Sequence, residues 1–530
     1  MLNEKKSQIS VNMLVVLVAL FLTVFGNVSF FRQTLIYYPL SYDNIAFIVS
    51  LTVLIFLITI MLFSIASWRY TVKPVLVAVL ILSSAASYFM NTYNIIIDDA
   101  MIDNVLQTNL DEALDLVSVE LFIYIILLGI VPSLLIYKIR IRHGSLKIEL
   151  LSRASLFVIS AIMVLLIIFM FSASYASFFR EHKIVRLYSN PVFFIYSSAK
   201  YISTLFPSGV PKYTVVGKDA EIEELDNDRE LVVFVVGETA RYDRFSLNGY
   251  NKETNPLLKK EDVISFTNFW SCGTSTAISV PCMFSPQTRT SFDEDKSRYS
   301  DNLIDVLNYA GVNTLWLDNN SDSKGVAIRS EHIDFKSKKT NPICDVECRD
   351  IGMLANIQLY VDNQETGDIF IVLHQMGAHG PAYYKRYPAE FEKFTPTCKT
   401  NQLEKCTKEQ LDNTYDNTIL YTDYFLSEVI NFLKNNSKFE ASMIYASDHG
   451  ESLGENGVYL HGLPYMVAPD EQKHVPFILW FGSGVDREEV DIETIKMSSS
   501  KKISHDYIFH TVLKLFEIES AIYDEKYNLL

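Results

Sequence analysis

Two short stretches of this 530-residue sequence carry groups that suit a divalent metal: Glu238 in VVGETARYD, and Asp448 with His449 in SDHGES. Two carboxylates and an imidazole form a borderline ligand set that favours zinc, and three protein ligands leave a fourth position for the reacting group. WSCGTSTAISVPC supplies hydroxyls for that position, flanked by Cys272 and Cys282. A Thr or Ser hydroxyl on a metal loses its proton far more readily than a free one. Ser/Thr-rich loops are ordinarily turns, and spacing alone does not separate Thr274 from Thr276. His374 and His379 fall in HQMGAHGPAYYKRYP and His461 in YLHGLPY, so with His449 four of the ten histidines lie in glycine-flanked loops. That grouping suits a second metal or a phosphate. Lys324, close after Asp318, Asn319 and Asn320, can neutralise a phosphate oxygen.

The elements that hold these residues are short β-branched runs alternating with longer amphipathic segments: Leu231 to Val236, Asn313 to Leu317, Ile369 to Leu373, Ser442 to Tyr445 and Val475 to Trp480. Such alternation predicts an α/β domain with a central, mostly parallel sheet covered on both faces. Ligands of open α/β sheets bind beyond the carboxyl ends of the strands. Glu238, Asp318 to Asn320, His374 and the Asp448–His449 pair each follow a run directly, so they converge on one edge.

The first third is different. Five apolar stretches, roughly 13–31, 45–66, 74–90, 119–137 and 155–176, are each about 20 residues, enough to cross a hydrocarbon core of roughly 30 Å. The first runs into Phe30, Phe31 and Arg32 without a small-x-small cleavage site and reads as a retained anchor. Lys5, Lys6, Arg69, Lys73, Lys138, Arg140, Arg142 and Lys147 mark the cytoplasmic side, which puts everything after about 176 outside. All six cysteines fall in that outside part, where an oxidising compartment favours disulfides. Of the 15 pairings, the economical one joins close neighbours: Cys272 with Cys282, Cys344 with Cys348, and Cys398 with Cys406. Residues 177–215, aromatic and basic, suit the lipid headgroup layer. The expected organisation is a five-span domain over 1–176, that interfacial linker, and a catalytic domain over 216–530. The net charge of −16 is concentrated after residue 180, which excludes a nucleic-acid partner.

The segments VVGETARYDRFSLNGYNKETNP, SCGTSTAISVPCMFS, HQMGAHGPAYYKRYP, SDHGESLGENGVYLHG and ISHDYIFHT resemble the signatures of the phosphoethanolamine transferases that modify lipid A. That group includes the mobile colistin-resistance enzymes and belongs to the alkaline phosphatase and sulfatase superfamily. The resemblance covers 231–515 and, more loosely, the five spans. It implies zinc held by Glu238, Thr276, Asp448 and His449, with Thr276 as the phosphorylated nucleophile. It also implies that His379 and His461 serve a second zinc or the substrate phosphate, and that Lys324 and Asn320 lie near the phosphoryl group. MIDNVLQTNLDEA resembles the segment that approaches the site from the membrane side, which implies Asn104, Thr108 and Glu112 near the donor ethanolamine. A carboxylate at 112 suits an ammonium.

The expectation is a monomeric, multi-pass enzyme of the bacterial inner membrane with its catalytic domain in the periplasm. It takes phosphoethanolamine from phosphatidylethanolamine and adds it to a phosphate of lipid A. The added ammonium weakens attraction of cationic peptides, so polymyxin resistance follows. The alternatives are transfer to core sugars and a phosphoglycerol transferase, against which Glu112 argues. A sulfatase is disfavoured because the hydroxyl loop lacks the Cys or Ser, x, Pro, x, Arg pattern that matures its catalytic residue.

Overall fold

The computed structural model describes residues 8–108, 110–206, 212–222, 228–486 and 490–530. They form two compact units: residues up to 103 with 117–206, and residues 104–116 with 207 onward. Lys5 and Lys6, on which the topology argument begins, and 207–211 of the expected linker lie outside the described residues.

The first unit is helical: α1 (Val11–Phe25), α2 (Val28–Tyr37), α3 (Tyr42–Ala66), α4 (Val72–Thr92), α5 (Val119–Lys138) and α6 (Leu146–Met170). Helices α3 to α6 are each long and apolar enough to cross a membrane; α1 and α2 make a fifth crossing only as a pair bent by 54°. The expected span 13–31 therefore runs through a break. The cause is Asn27, whose Nδ2 donates to Leu22 O at 2.9 Å while its Oδ1 accepts from Asn190 N at 3.0 Å. Leu22 O also accepts from Gly26 N at 2.8 Å, so the Asn27 side chain caps the last turn of α1 instead of extending it. The last expected span, 155–176, begins instead at Leu146, because Glu149 and Arg153 find partners inside the fold. Glu149 accepts from Gly144 N at 3.0 Å, and Arg153 Nε donates to Ser67 O at 3.1 Å.

The second unit is built on a seven-stranded sheet. In chain order its strands are β1 (Glu230–Gly237), β2 (Ile264–Phe266), β3 (Asn313–Asp318), β4 (Glu331–Asp334), β5 (Ile369–His374), β6 (Glu440–Ser447) and β7 (Phe477–Phe481). Their spatial order is β2-β7-β6-β1-β5-β3-β4. The five strands from β6 to β4 are parallel, whereas β7 pairs antiparallel with both β6 and β2. The sheet is thus mixed, and the run ending at Trp480 is its antiparallel member. An antiparallel neighbour needs no crossover helix, so the chain between β6 and β7 stays at the strand ends, where it forms a loop. Strand interiors such as Val232, Phe234, Val372 and Ile444 are fully buried, and together with Trp316 and Phe477 they make the core.

Candidate metal and nucleophile site

Parallel register sets the site. Ser447 at the end of β6 lies opposite Gly237 at the end of β1, and Asp448 N donates to Gly237 O at 2.9 Å. Glu238, Asp448 and His449 therefore emerge side by side. Gly377 packs against this turn with φ +50°, and a Cβ there would stand 2.8 Å from Glu238 O, so only glycine fits. From the other side, Tyr415 on helix α8 (Lys408–Lys434) donates its hydroxyl to Thr239 O at 2.6 Å and accepts from Arg241 N at 3.0 Å.

Ligand-capable atoms of Glu238, Asp448 and His449 all lie within 4.8 Å of one another, and the three residues are buried. His449 Nε2 is 3.5 Å from Glu238 Oε1 and 3.3 Å from Asp448 Oδ2. Its Nδ1 lies 2.9 Å from Gly450 O, where N–H must donate, so Nε2 turns a lone pair on the cluster. Glu238 Oε1 and Asp448 Oδ2 are buried with no hydrogen-bond partner. Two orphaned carboxylate oxygens and an imidazole lone pair around one point are what a cation satisfies, and the donor set suits zinc. Burial and the neighbouring Asp448 push the Glu238 carboxyl well above its ordinary range; a bound cation opposes that push.

The hydroxyl loop ends in helix α7 (Thr276–Met283), and Thr276 is its first residue. Thr276 Oγ1 donates to Glu238 Oε2 at 3.1 Å and lies 3.4 Å from His449 Nε2. The start of a helix favours negative charge at that oxygen. Thr274, by contrast, donates its hydroxyl to Leu463 O at 2.6 Å, which separates the two threonines that spacing could not. The Cys272–Cys282 disulfide ties the loop to its own helix, and the pairs 344–348 and 398–406 form as well. His505 locks the loop to the sheet: its Nδ1 accepts from Cys272 N at 3.0 Å and its Nε2 donates to Ser447 O at 2.9 Å. Burial pushes this imidazole down to about 4, so it stays neutral.

Around this centre, Asn320 Nδ2 donates to Glu238 Oε2 at 2.8 Å and to Gln375 O at 2.7 Å. Lys324 donates to Ser321 O at 2.8 Å; burial lowers its ammonium, while Glu112 and Glu238 act to raise it. His461 stacks near His449, with centroids 4.2 Å apart, and its Nδ1 is 3.3 Å from Glu451 Oε2. His379 lies 5.7 Å from His461, centroid to centroid, and 3.9 Å from Glu112 Oε2. Burial holds both rings below the usual imidazole range, His461 at about 4. His374 stands apart. Its Nδ1 faces Asp318 Oδ2 at 2.9 Å, an oxygen that also accepts from the Trp316 indole at 2.9 Å. Asp318 Oδ1 accepts from the backbone of Asn320 and Asp322, which shapes the turn leading to Lys324. Of the expected donor-headgroup residues, Glu112 reaches His379, whereas Thr108 donates its hydroxyl back to Asn104 O at 2.8 Å.

Four residues here went unnoticed in the sequence. Glu451 and His505 lie within motifs already singled out. Asp350 anchors the 375–377 turn by accepting from Met376 N at 2.9 Å and Gly377 N at 3.1 Å. Asp115 accepts from Lys385 at 2.5 Å and Arg386 at 2.8 Å, and its carbonyl accepts from Asn401 at 2.6 Å. Of the four, Asp115 alone sits in an acidic run, with Asp111 and Glu112, that signals a cationic partner.

Comparison with known proteins follows the same division of the chain. Residues 230–518 match the family model described as Sulfatase, and residues 55–206 match that described as Phosphoethanolamine transferase EptA/EptB. The chain is 43% identical over 519 residues to the phosphatidylethanolamine transferase Mcr-2 of Escherichia coli, covering 95% of each. It is 37% identical over 541 residues to the phosphoethanolamine transferase EptA of Escherichia coli K12, covering 100% of this chain and 98% of the relative. Among solved structures, the integral membrane lipooligosaccharide phosphoethanolamine transferase A from Neisseria meningitidis superposes with a TM-score of 0.95 at 35% identity over 99% of both chains. With its transmembrane N-terminal region and sulfatase-like α/β unit, the chain belongs to the phosphoethanolamine transferase family.

Proposed function

We propose that the chain transfers phosphoethanolamine from phosphatidylethanolamine to a phosphate of lipid A through a covalent intermediate on Thr276. The observation that carries this reading is Thr276 Oγ1, 3.1 Å from Glu238 Oε2 at the head of a helix, beside carboxylate oxygens that have no partner. Glu238, Asp448 and His449 would hold one zinc ion, with the Thr276 hydroxyl completing the set, and His379 and His461 would hold a second ion or the phosphate. Bound there, zinc supplies the positive charge that makes a hydroxyl acidic and screens a phosphate.

Thr276 Oγ1 forms a bond to the donor phosphorus as its proton leaves; the bond from phosphorus to the diacylglycerol oxygen breaks, and that oxygen takes up a proton. A lipid A phosphate oxygen then attacks the same phosphorus, the bond to Thr276 breaks, and Oγ1 regains a proton. Lys324 and the Asn320 amide offset charge on the phosphoryl oxygens. Asn104, Thr108 and Glu112 receive the ethanolamine, with the Glu112 carboxylate on the ammonium. The same reading counts α1 with α2 as one of five crossings. It assigns 1–176 to the bacterial inner membrane, 177–215 to its interface and 216–530 to the periplasm, and it takes the enzyme as a monomer that confers polymyxin resistance. In cells making Thr276→Ala, mass spectrometry should find lipid A without added phosphoethanolamine; lipid A that still gains it removes Thr276 from the reaction.

A further inference from the structure

The second unit contains a cavity of about 350 Å³, at the lower end of the range that holds a small ligand. Three of its wall segments have their far side on the metal and nucleophile site. Asn319 lines the cavity while Asn320 donates to Glu238; Met376 lines it while Gly377 abuts Glu238; Glu112 lines it and faces His379. Along the first two segments the cavity is thus one residue away from those that touch Glu238.

Its charges are unequally matched. Asp115 is held by Lys385 and Arg386, Glu347 by Arg386 and Arg349, and Asp345 by Arg349. The remaining charges in the wall are the Glu112 carboxylate, beside His379, and the ammonium groups of Lys336 and Lys338 on the loop after β4. Lys336 has the exposed Asp334 at 3.7 Å and the more distant charge of Asp318, and Lys338 makes no ion pair among the described residues. In a unit whose net charge is strongly negative, two adjacent lysines facing a cavity select an anion.

We propose that this cavity receives the phosphorylated sugar of the acceptor, with the Lys336 and Lys338 ammonium groups on a sugar phosphate. The proposal rests on the transfer reaction above. In the transfer reaction above Glu112 takes the donor ammonium, which leaves Lys336 and Lys338 for a phosphate of the acceptor.

The test uses the full chain in detergent, comparing wild type with a K336E/K338E double variant and with K339E, an exposed neighbour that does not line the cavity. Equilibrium binding of glucosamine 1-phosphate reads the cavity directly. The double variant should raise its Kd by roughly tenfold or more, the worth of one lost charge-assisted hydrogen bond, while K339E should match wild type. In turnover with lipid A, the acceptor KM should rise by the same factor with little change in kcat or in diacylglycerol release. Equal binding by wild type and the double variant, or a matching loss in K339E, overturns the proposal, as does a slower single-turnover release of diacylglycerol measured without acceptor, which would put the lysines on the donor. If binding changes as expected but wild type moves no phosphoethanolamine to lipid A, the cavity stands and the transfer reading fails.

Discussion

The orphaned oxygens of Glu238 and Asp448 give a crossed prediction for Glu238→Gln. The side chain keeps its shape, and the new amide oxygen can still accept from Asn320 Nδ2, now 2.8 Å from Oε2. What changes is the charge. Without metal, wild type holds two carboxylates together in a site with no exposure, and burial with Asp448 drives the Glu238 carboxyl up; the neutral amide relieves that, so the metal-free variant should melt at or above metal-free wild type. With zinc the order should invert. A ligand at about a thousandfold over its Kd stabilises by about 4 kcal/mol, and at about 2 °C per kcal/mol for a unit of this size wild type should rise by about 8 °C. The variant lacks one of two anionic ligands and should lose more affinity than the 10–100-fold typical of an outer partner, leaving a shift of a few degrees at most. Tryptophan fluorescence reads the right unit, since Trp270, Trp316 and Trp480 lie in it and only Trp68 lies elsewhere. Equal zinc shifts in the two proteins, or a metal-free variant clearly less stable than wild type, would refute the assignment of Glu238 as a cation ligand.

Asp318→Asn should cost about 3–5 kcal/mol by leaving a buried pair broken. Burial works to raise the Asp318 carboxyl, but His374 and the Trp316 indole outweigh it and hold the group well below its ordinary value. Its contribution is therefore full above about pH 4 and disappears as pH falls through the lower folded value. Denaturant melts across pH should show wild type and variant converging in acid; a gap that stays constant would sink the argument. Thr274→Val should cost about 1–3 kcal/mol, because Leu463 O loses its donor, yet transfer measured by mass spectrometry should persist; loss of transfer in a folded Thr274→Val would mean the wrong threonine was chosen.

The sequence located the strand ends well because a buried parallel strand must be continuously apolar, and the polar residues that close Leu231 to Val236 and Ser442 to Tyr445 are the ones that meet. It missed β2 and β4, of three and four residues, since such short edge strands carry no readable period. It could not foresee that β7 runs antiparallel, because a buried run reads the same in either direction. Within the site, residue type pointed to Glu238, Asp448 and His449, but a histidine on a strand end has two fates: His449 faces the cluster while His374 turns to Asp318. Only three-dimensional pairing distinguishes them. The break at Asn27 was likewise invisible to hydropathy, because it depends on Asn190, far along the chain.

Residues 104–116 lie in sequence among the apolar helices but fold with the second unit. A soluble fragment begun at residue 216 would omit them. Arg386, buried and donating to His379 O at 2.7 Å, would then keep Glu347 but lose Asp115, and the cavity would open where Glu112, Leu114 and Asp115 now stand. Inhibitor screens run on such a truncated protein would reward compounds shaped to a gap that the intact enzyme fills with its own chain.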